Sequence, residues 1–543
     1  MSGAQAFGTA IFVVLLAISA FVLFRSARRM DSVSQFWAAG HSVSASRNGV
    51  AMSGDFLGAT TMLGSVGLIM LYGFDGALYS LGWLVGFVTV LLFIGERLRN
   101  SGQFTMADAL AGRLSEAPVR CAVAVTTLII STLLMFIQVI AGGVLLKVLT
   151  GMPYTAGVLI TGAGIIAYVL LGGMISVTWL QYVKALILLT VTAVIAFWVL
   201  AKTGWDPGRL LDQAAARSPA GHRFLAPGLY LKSTINTVSL GIALVFGVGG
   251  LPHLLMRFFT VPGKKAARAS VGWAVAVIGV VYLLTIVVGV GSRALLSPVQ
   301  VKAAGKSGNN AAPVLVQVLG GGAHSTGGEL FLAVFVAAAF ATVLAYVAGT
   351  VIASSSAVSH DVFAQVIRKG QITGREEIRA GRITSVAIVV IGLLLALSLQ
   401  NQNLAFLTGL VYAMAASTNF PVLVLAMYWR RFSTAGAIAG MIAGGVSTIV
   451  LIVLSPGVWP GPHPPITLAN PAIISVPLGF LACWLGSLIW PRRADERSFA
   501  EFSVRGTTGI QAEEPALVKL SPNPAPVLTV SVLTVRTYAD SAN

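Results

Sequence analysis

"MSGDFLGATT", residues 52–61, decides how this chain is read. It lies inside a long apolar run, yet it carries two glycines, two adjacent threonines and one carboxylate, Asp55. A lipid-facing helix favours none of these, because a charge at the bilayer centre costs about 3 kcal/mol or more. Irregular backbone at membrane depth is tolerated only where protein or water covers it. The stretch therefore reads as a break in a membrane helix that faces the interior of a helix bundle.

The rest of the chain agrees. Of 543 residues, 56% are hydrophobic and 10% charged, whereas soluble globular chains carry about 25% charged residues. Apolar runs long enough to cross a bilayer cover 7–24, 49–72, 76–95, 119–148, 154–172, 178–201, 234–251, 267–292, 329–362, 382–399, 403–428, 433–454 and 471–490. That makes an all-α integral membrane protein of about thirteen spans. The first run has no basic flank and no small-residue cleavage site, so it reads as a retained helix. The run 329–362 is too long for an untilted span and extends beyond the hydrocarbon.

A net charge of +17 raises the question of nucleic acid. The Lys and Arg residues instead gather in alternate connections, around 25–47, 97–120, 257–268, 368–382, 430–431 and 492–497. They outnumber those of 202–233 and 293–328, and by the positive-inside rule the N-terminus is outside and the C-terminus cytoplasmic. No nucleic-acid partner is expected; the bilayer is. Cys121 and Cys483 form neither a disulfide framework nor a metal motif. The "GGM" at 172–174 lacks the lysine and strand–helix context of a phosphate loop. No nucleophile–base pair points to an enzyme.

The five spans from 49 to 201 are followed by five from 234 to 428, and each block opens on an interrupted helix. The second interruption is "FGVGGLPHLL", residues 246–255, with Gly247, Gly249, Gly250 and Pro252. Interrupted helices at matching positions of two halves mark a transporter's midplane site.

Within these breaks Asp55 has two readings, a cation ligand or proton carrier against a cap for freed backbone N–H groups. Thr60 and Thr61 either bond the i−4 carbonyl and bend the helix or present a hydroxyl to the solute. Asp75 reads as a loop or cap residue. His253 and Arg257 share a helix face; His253 suits a structural hydrogen bond, with a proton relay as the alternative, and Arg257 suits snorkelling to the interface. Lys184 also suits snorkelling, with attraction of an anionic solute as the alternative. In the small-residue helix 329–362, Thr342 and Ser354–Ser356 offer oxygen ligands. The tail from about 498 has no apolar period and reads as disordered.

Several stretches resemble one known family. "SGDFLGATTMLGSVGLIMLYGFDGALYSLGWLVG" (53–86), "ERLRNSGQFTMADALAGRL" (96–114), "YVLLGGMISVTWLQYVKA" (168–185), "GLPHLLMRFFTV" (250–261) and "SSSAVSHDVF" (354–363) are similar to the sodium:solute symporters. The similarity covers about residues 33–490 and is greatest to the acetate and monocarboxylate permeases. It implies a leucine-transporter-type fold of two inverted five-helix repeats, with one extra N-terminal and two extra C-terminal helices. The chain then divides into 1–48 (extra helix and cytoplasmic loop), 49–201 (first repeat), 202–233 (extracellular loop), 234–428 (second repeat), 429–490 (two peripheral helices) and 491–543 (cytoplasmic, mostly disordered tail).

The resemblance also implies symport by alternating access in the plasma membrane, with no organic cofactor. By motif position the cation contacts are the carbonyls of Gly54 and Leu57 and the side-chain positions Thr342, Ala345 and Tyr346. Sodium-coupled members usually carry a small hydroxyl pair where this chain has Ala345 and Tyr346, and some carry an acid at Gln181. Na⁺ and H⁺ therefore both stand as coupling ions, Asp55 being the candidate proton carrier. Thr61 falls at the substrate-facing position, and Gly247 and Gly249 mark the second break. The expected solute is a short monocarboxylate such as acetate, propionate or pyruvate. The family also hosts symporters of proline and other amino acids, sugars and vitamins. From another class, a membrane solute sensor would need a signalling domain, and the tail shows none.

Overall fold

The computed structural model describes residues 37–509, apart from 172–173, 323–324, 398–401, 460 and 462, together with residues 6, 9–10, 12–14 and 17. The expected first span 7–24 lies largely outside the described residues, as does 510–543. Among the described residues there are helices and no strands. Among the described residues nine helices are long and apolar enough to cross a membrane, or up to eleven if two bent pairs, Ala45–Phe56 with Thr60–Tyr72 and Phe74–Val90 with Gly95–Ser101, each count as one span.

The first broken span is α1 (Ala45–Phe56) and α2 (Thr60–Tyr72), bent by 56°. After it come α3 (Phe74–Phe93) and the short α4 (Gly95–Ser101) and α5 (Met106–Ala111), then α6 (Glu116–Thr150), α7 (Tyr154–Leu171) and α8 (Met174–Lys202). A surface helix α9 (Pro207–Arg217) leads to the span Thr234–Thr260, which runs in one direction but is interrupted between α10 (Thr234–Gly247) and α11 (Pro252–Met256) by a tight turn at 248–250 and an extended Leu251. Next are α12 (Lys264–Leu295), the short α13 (Pro298–Ala303) and α14 (Ala311–Leu319), and α15 (Thr326–Ser356), which runs on through a π-type turn to Ile367. The chain closes with α16 (Gly374–Ala396), α17 (Leu404–Ser417), α18 (Asn419–Tyr428), α19 (Thr434–Val453), α20 (Ala472–Ile489) and α21 (Arg493–Thr508).

Sequence explains the helix ends. Ser233, Ser325 and Asn403 cap α10, α15 and α17 with side-chain oxygens on backbone N–H groups. This satisfies donors that a helix start leaves free. Thr105 and Asp108 form a reciprocal capping box on α5. Asp75, read as a cap residue, is buried and accepts from the N–H groups of Gly228 (3.1 Å), Tyr230 (2.7 Å) and Leu231 (3.0 Å). It pins the 202–233 connection onto the start of α3. The connections 202–233 and 293–328 contain α9, α13 and α14 rather than irregular chain.

Two spans form the centre. The hydropathic windows of Leu404–Tyr428 and Thr326–Ile367 are 89% and 78% buried, against 28% for Gly374–Ala396. The Ala, Gly and Ser content of α15 is what permits this, since small side chains let helices approach closely. The tail departs from expectation. Residues 498–508 complete α21, which buries Phe502 and holds Asp495 against the N–H of Thr434 at 2.8 Å. With Asp495 and Glu496 in its first turn, α21 has a favourable helix start.

Gly54 sits where α1 touches α8, and a Cβ there would strike the backbone carbonyl of Gln181. Gly54→Ala should therefore cost about 1–3 kcal/mol of stability. Gly241→Ala on α10, whose added Cβ meets open space, should be neutral or stabilising by up to about 1 kcal/mol. Melting temperatures of the two purified variants test this; equal values would contradict the packing.

Candidate functional site

The first break begins where α1 stops at Phe56. Leu57 is extended (φ −76°, ψ 102°), and α2 starts at Thr60 with a π-type turn. Broken helix leaves backbone groups that must find partners in a buried setting. Gln138, on α6, meets this need: its Oε1 accepts from the Ala59 N–H at 3.3 Å and its Nε2 donates to Thr60 Oγ1 at 3.0 Å. Gln138 was not among the residues expected from sequence, although a glutamine inside the apolar run 119–148 is the same kind of signal as Asp55.

The second break, 248–251, is held by α17 and α18. Gly247 packs on the backbone of Tyr412 and Gly250 on that of Ala415. Asn419, at the start of α18, donates to the Gly250 carbonyl at 2.8 Å and accepts from Thr126 at 2.7 Å. Gly249 lies against the Phe420 ring. Tyr412 also touches Phe56, with ring centroids 6.2 Å apart, so it bridges the two breaks. Phe56 stands within a buried aromatic group of Trp83, Phe87, Tyr282 and Tyr412. Thr61 faces the Tyr282 hydroxyl.

Beside the breaks lies a buried cluster of charge. Asp55 Oδ2 accepts from Nε of Arg257, and each residue is 1% exposed. Arg257 Nη1 donates to Thr178 Oγ1 at 2.5 Å, and its carbonyl accepts from Asn48 Nδ2 at 3.1 Å. Snorkelling, expected for Arg257, fails because its guanidinium is buried against Asp55 of α1 and Thr178 of α8. Lys184 does not snorkel either. It is 4% exposed, and its ammonium lies 5.3 Å from the centre of the Tyr346 ring. His253 also packs on Tyr346, with centroids 5.6 Å apart. Neither of its ring nitrogens has a hydrogen-bond partner among the described residues, so the expected structural bond is missing. Asp55 caps no backbone N–H; its Oδ1 is without a partner and points toward Gly349.

The expected cation positions are partly gathered. Gly54 meets Gln181, Gln181 Nε2 donates to the Ala345 carbonyl at 2.6 Å, and Tyr346 carries Lys184 and His253. Thr342 donates its hydroxyl to the Ala339 carbonyl at 2.6 Å, and Ser354, Ser355 and Ser356 likewise bond carbonyls of their own helix.

Two further features sit at opposite ends of the α1–α2 span. At the α1 end, Arg120 bonds Asp108 (2.7 Å) and Asp361 (2.9 Å), while His360 reaches Glu377 (2.9 Å) and Asp108 (3.5 Å). Trp37 donates to Glu377 at 2.9 Å. Burial alone would raise the Asp108 carboxyl, but His360 and Arg120 hold it below the ordinary carboxylate range. At the α2 end a cavity of about 590 Å³ is lined by Tyr72, Tyr230, Lys232, Lys306 and Asn403, among others.

A family model described as the sodium:solute symporter family matches residues 36–444. The chain belongs to that family. A symporter of Bacillus subtilis (strain 168), named YwcA and uncharacterized, is 42% identical over 513 residues, covering 93% of this chain and 98% of its own. A protein named monocarboxylic acid transporter, from Corynebacterium glutamicum, is 41% identical over 531 residues, covering 93% and 95%. Among solved structures, a substrate-bound, outward-open Na⁺-coupled sialic acid symporter aligns with a TM-score of 0.71 at 14% identity, covering 89% of this chain and 98% of that one. Mhp1, a nucleobase-cation-symport-1 family transporter, aligns with a TM-score of 0.53 at 14% identity over 87% and 99%. These likenesses place the symporter's fold among helical membrane transporters.

Removing one partner of a buried ion pair strands the other, at a cost of about 3–5 kcal/mol. Asp55→Asn and Arg257→Gln should each destabilise the symporter by that order. The double variant should lose less than the sum of the two, by about 0.5–3 kcal/mol. Denaturation in detergent measures this cycle, and strictly additive losses would show that the two side chains do not interact.

Proposed function

We propose that this symporter moves a short monocarboxylate, such as acetate, propionate or pyruvate, across the plasma membrane together with Na⁺ or H⁺, by alternating access. The observation that carries this is the meeting of two broken spans at one buried charge cluster. Unwound backbone and buried charge at membrane depth cost stability, and they are kept where a solute and an ion must be bound and released. On this reading α1 to α8 and α10 to α18 are the two inverted five-helix repeats, with the N-terminus outside and the C-terminus cytoplasmic. The carbonyls of Gly54 and Leu57 with Thr342, Ala345 and Tyr346 form the ion region. Thr61, Gly247 and Gly249 line the solute region, beneath Phe56 and Tyr412.

Two observations favour an anionic solute. One is the 41% identity to a protein named for monocarboxylic acids. The other is the pair Lys232 and Lys306 in the cavity at the α2 end, which raises the local concentration of anions.

Purified protein in liposomes, given labelled acetate, propionate and pyruvate under separate Na⁺ and pH gradients, tests the proposal. Accumulation above equilibrium is expected for at least one solute. A tenfold ion gradient, about 1.4 kcal/mol, supports up to about tenfold accumulation per ion coupled. Flux that equilibrates without accumulating indicates a channel. Accumulation of proline or a sugar in place of all three carboxylates refutes the solute assignment.

A further inference from the structure

The helix α3 folds back on α2. Gly76 packs against the backbone of Leu68 and Ile69, and Tyr282, stacked on Trp83 with ring centroids 5.9 Å apart, links Trp83 to Thr61. Between these two contacts Ser80 stands level with Ser65 of α2. Gly76, Ser80, Trp83 and Phe87 recur at i, i+4, i+7 and i+11, so they form one stripe of α3. The stripe reaches the first break, where Phe87 meets Phe56 with ring centroids 4.6 Å apart. Three polar atoms on this seam are buried and have no hydrogen-bond partner among the described residues: Ser65 Oγ, Ser80 Oγ and Trp83 Nε1. Buried polar groups almost always find partners. Other buried serines do so here, as Ser354, Ser355, Ser356 and Ser359 bond carbonyls of their own helix. Trp83 cannot turn to find one, because Phe56, Tyr79, Tyr282 and Tyr412 hold its ring. An indole N–H only donates, and a serine hydroxyl can donate. What the three groups lack in common is an acceptor.

We propose that Trp83, Ser80 and Ser65 are the donors that receive the carboxylate of the transported solute, whose short chain lies against the aromatic group around Phe56. Trp83 and Ser80 stand one turn apart on α3, and Ser65 approaches from α2. Hydrogen bonds to a carboxylate are stronger than those between neutral groups. Neutral donors nevertheless release the anion without pulling an ion pair apart, which suits a group that must be handed from one side of the membrane to the other. They also select. A solute of the same length without the carboxylate leaves buried donors unpaired, and a site built that way discriminates against it. The inference rests on the symport reading above and adds to it the groups that recognise the carboxylate.

The test uses full-length protein in liposomes with labelled acetate, propionate and pyruvate, and melting curves of the same protein in detergent. Trp83→Phe keeps an aromatic ring and removes the N–H; Ser80→Ala and Ser65→Ala each remove one hydroxyl. Each variant should raise the half-saturating concentration of the carboxylate at least tenfold, with the change in that constant rather than in the maximal rate. The two hydroxyls have no partner before the solute arrives. Ser80→Ala and Ser65→Ala should therefore melt, without solute, at the wild-type temperature or above it, and they decide the matter should Trp83→Phe misfold. In wild type the transported carboxylate should raise the melting temperature and acetamide should not. Wild-type half-saturation in any folded variant overturns the donor set, and equal stabilisation by acetamide overturns recognition of the carboxylate. A lower solute-free melting temperature in Ser80→Ala assigns its hydroxyl to an internal water that the fold needs, and overturns its role as a donor. These three outcomes leave the symport reading standing. Wild type that is neither loaded with nor stabilised by any of the three carboxylates overturns the reading and the assignment together.

Discussion

Unwound backbone cannot face lipid, and the rest of this structure follows from that constraint. At 57–59 and 248–251 the helical ladder is interrupted in the middle of the membrane-spanning bundle. Each freed carbonyl or N–H needs a partner from a neighbouring helix, since each unsatisfied group costs several kcal/mol in hydrocarbon. Gln138 on α6 serves the first break and Asn419 on α18 the second. This requirement places α15 and α17 at the centre, demands their small residues, and forces Gly54, Gly247 and Gly250 where helix backbones touch. Peripheral spans such as α16 and α19 carry no such obligation and expose apolar side chains such as Leu394 and Ile442.

The ion pair of Asp55 and Arg257 joins the two breaks across 202 positions of sequence. A buried pair of this kind contributes little net stability beyond a well-packed apolar pair. Its consequence is mutual dependence, because neither partner can leave without stranding the other. The end of α1 and the segment after α11 therefore move together or exchange partners. Asn48 strengthens this coupling by bonding both the carbonyl of Arg257 and the hydroxyl of Thr260.

The interruptions were legible in the sequence because glycine, proline and an acid stand out against an apolar run, and twelve of the thirteen expected spans have helices at their positions. What was not legible is pairing over distance. Arg257 and Lys184 were placed by their nearness to a membrane boundary, counted along a continuous helix. Asp55 and Tyr346 reach these two side chains from distant positions of sequence, so nearness to a boundary misleads. Gln138 escaped notice although the logic that singled out Asp55 applies to it. α21 was missed because its apolar contacts, Phe499 on Arg113 and the buried Phe502, are too few to make a period. The Asp108, His360 and Asp361 cluster draws on α5 and the continuation of α15, and Glu377 and Arg120 join it from two more elements. Only the fold brings these together.

The α1 end of the bundle and its centre are held by different physics. At the α1 end the contacts are charged: Arg120 with Asp108 and Asp361, and Glu377 with His360 and Trp37. Hydrogen bonds to charged groups are worth about 1.5–3 kcal/mol each, and several of them exceed the few kcal/mol that separate interconverting states. Such a seal opens reversibly only if its groups find new partners as they part. Charged side chains do, because entering water solvates them, whereas an apolar seal would lose its burial outright. The pair at the centre has no such recourse. Asp55 and Arg257 are each 1% exposed, so water does not replace their contact, and they separate only when another charge takes over. Lys184, buried beside them with its ammonium over the Tyr346 ring, is the further charge that acts on Asp55.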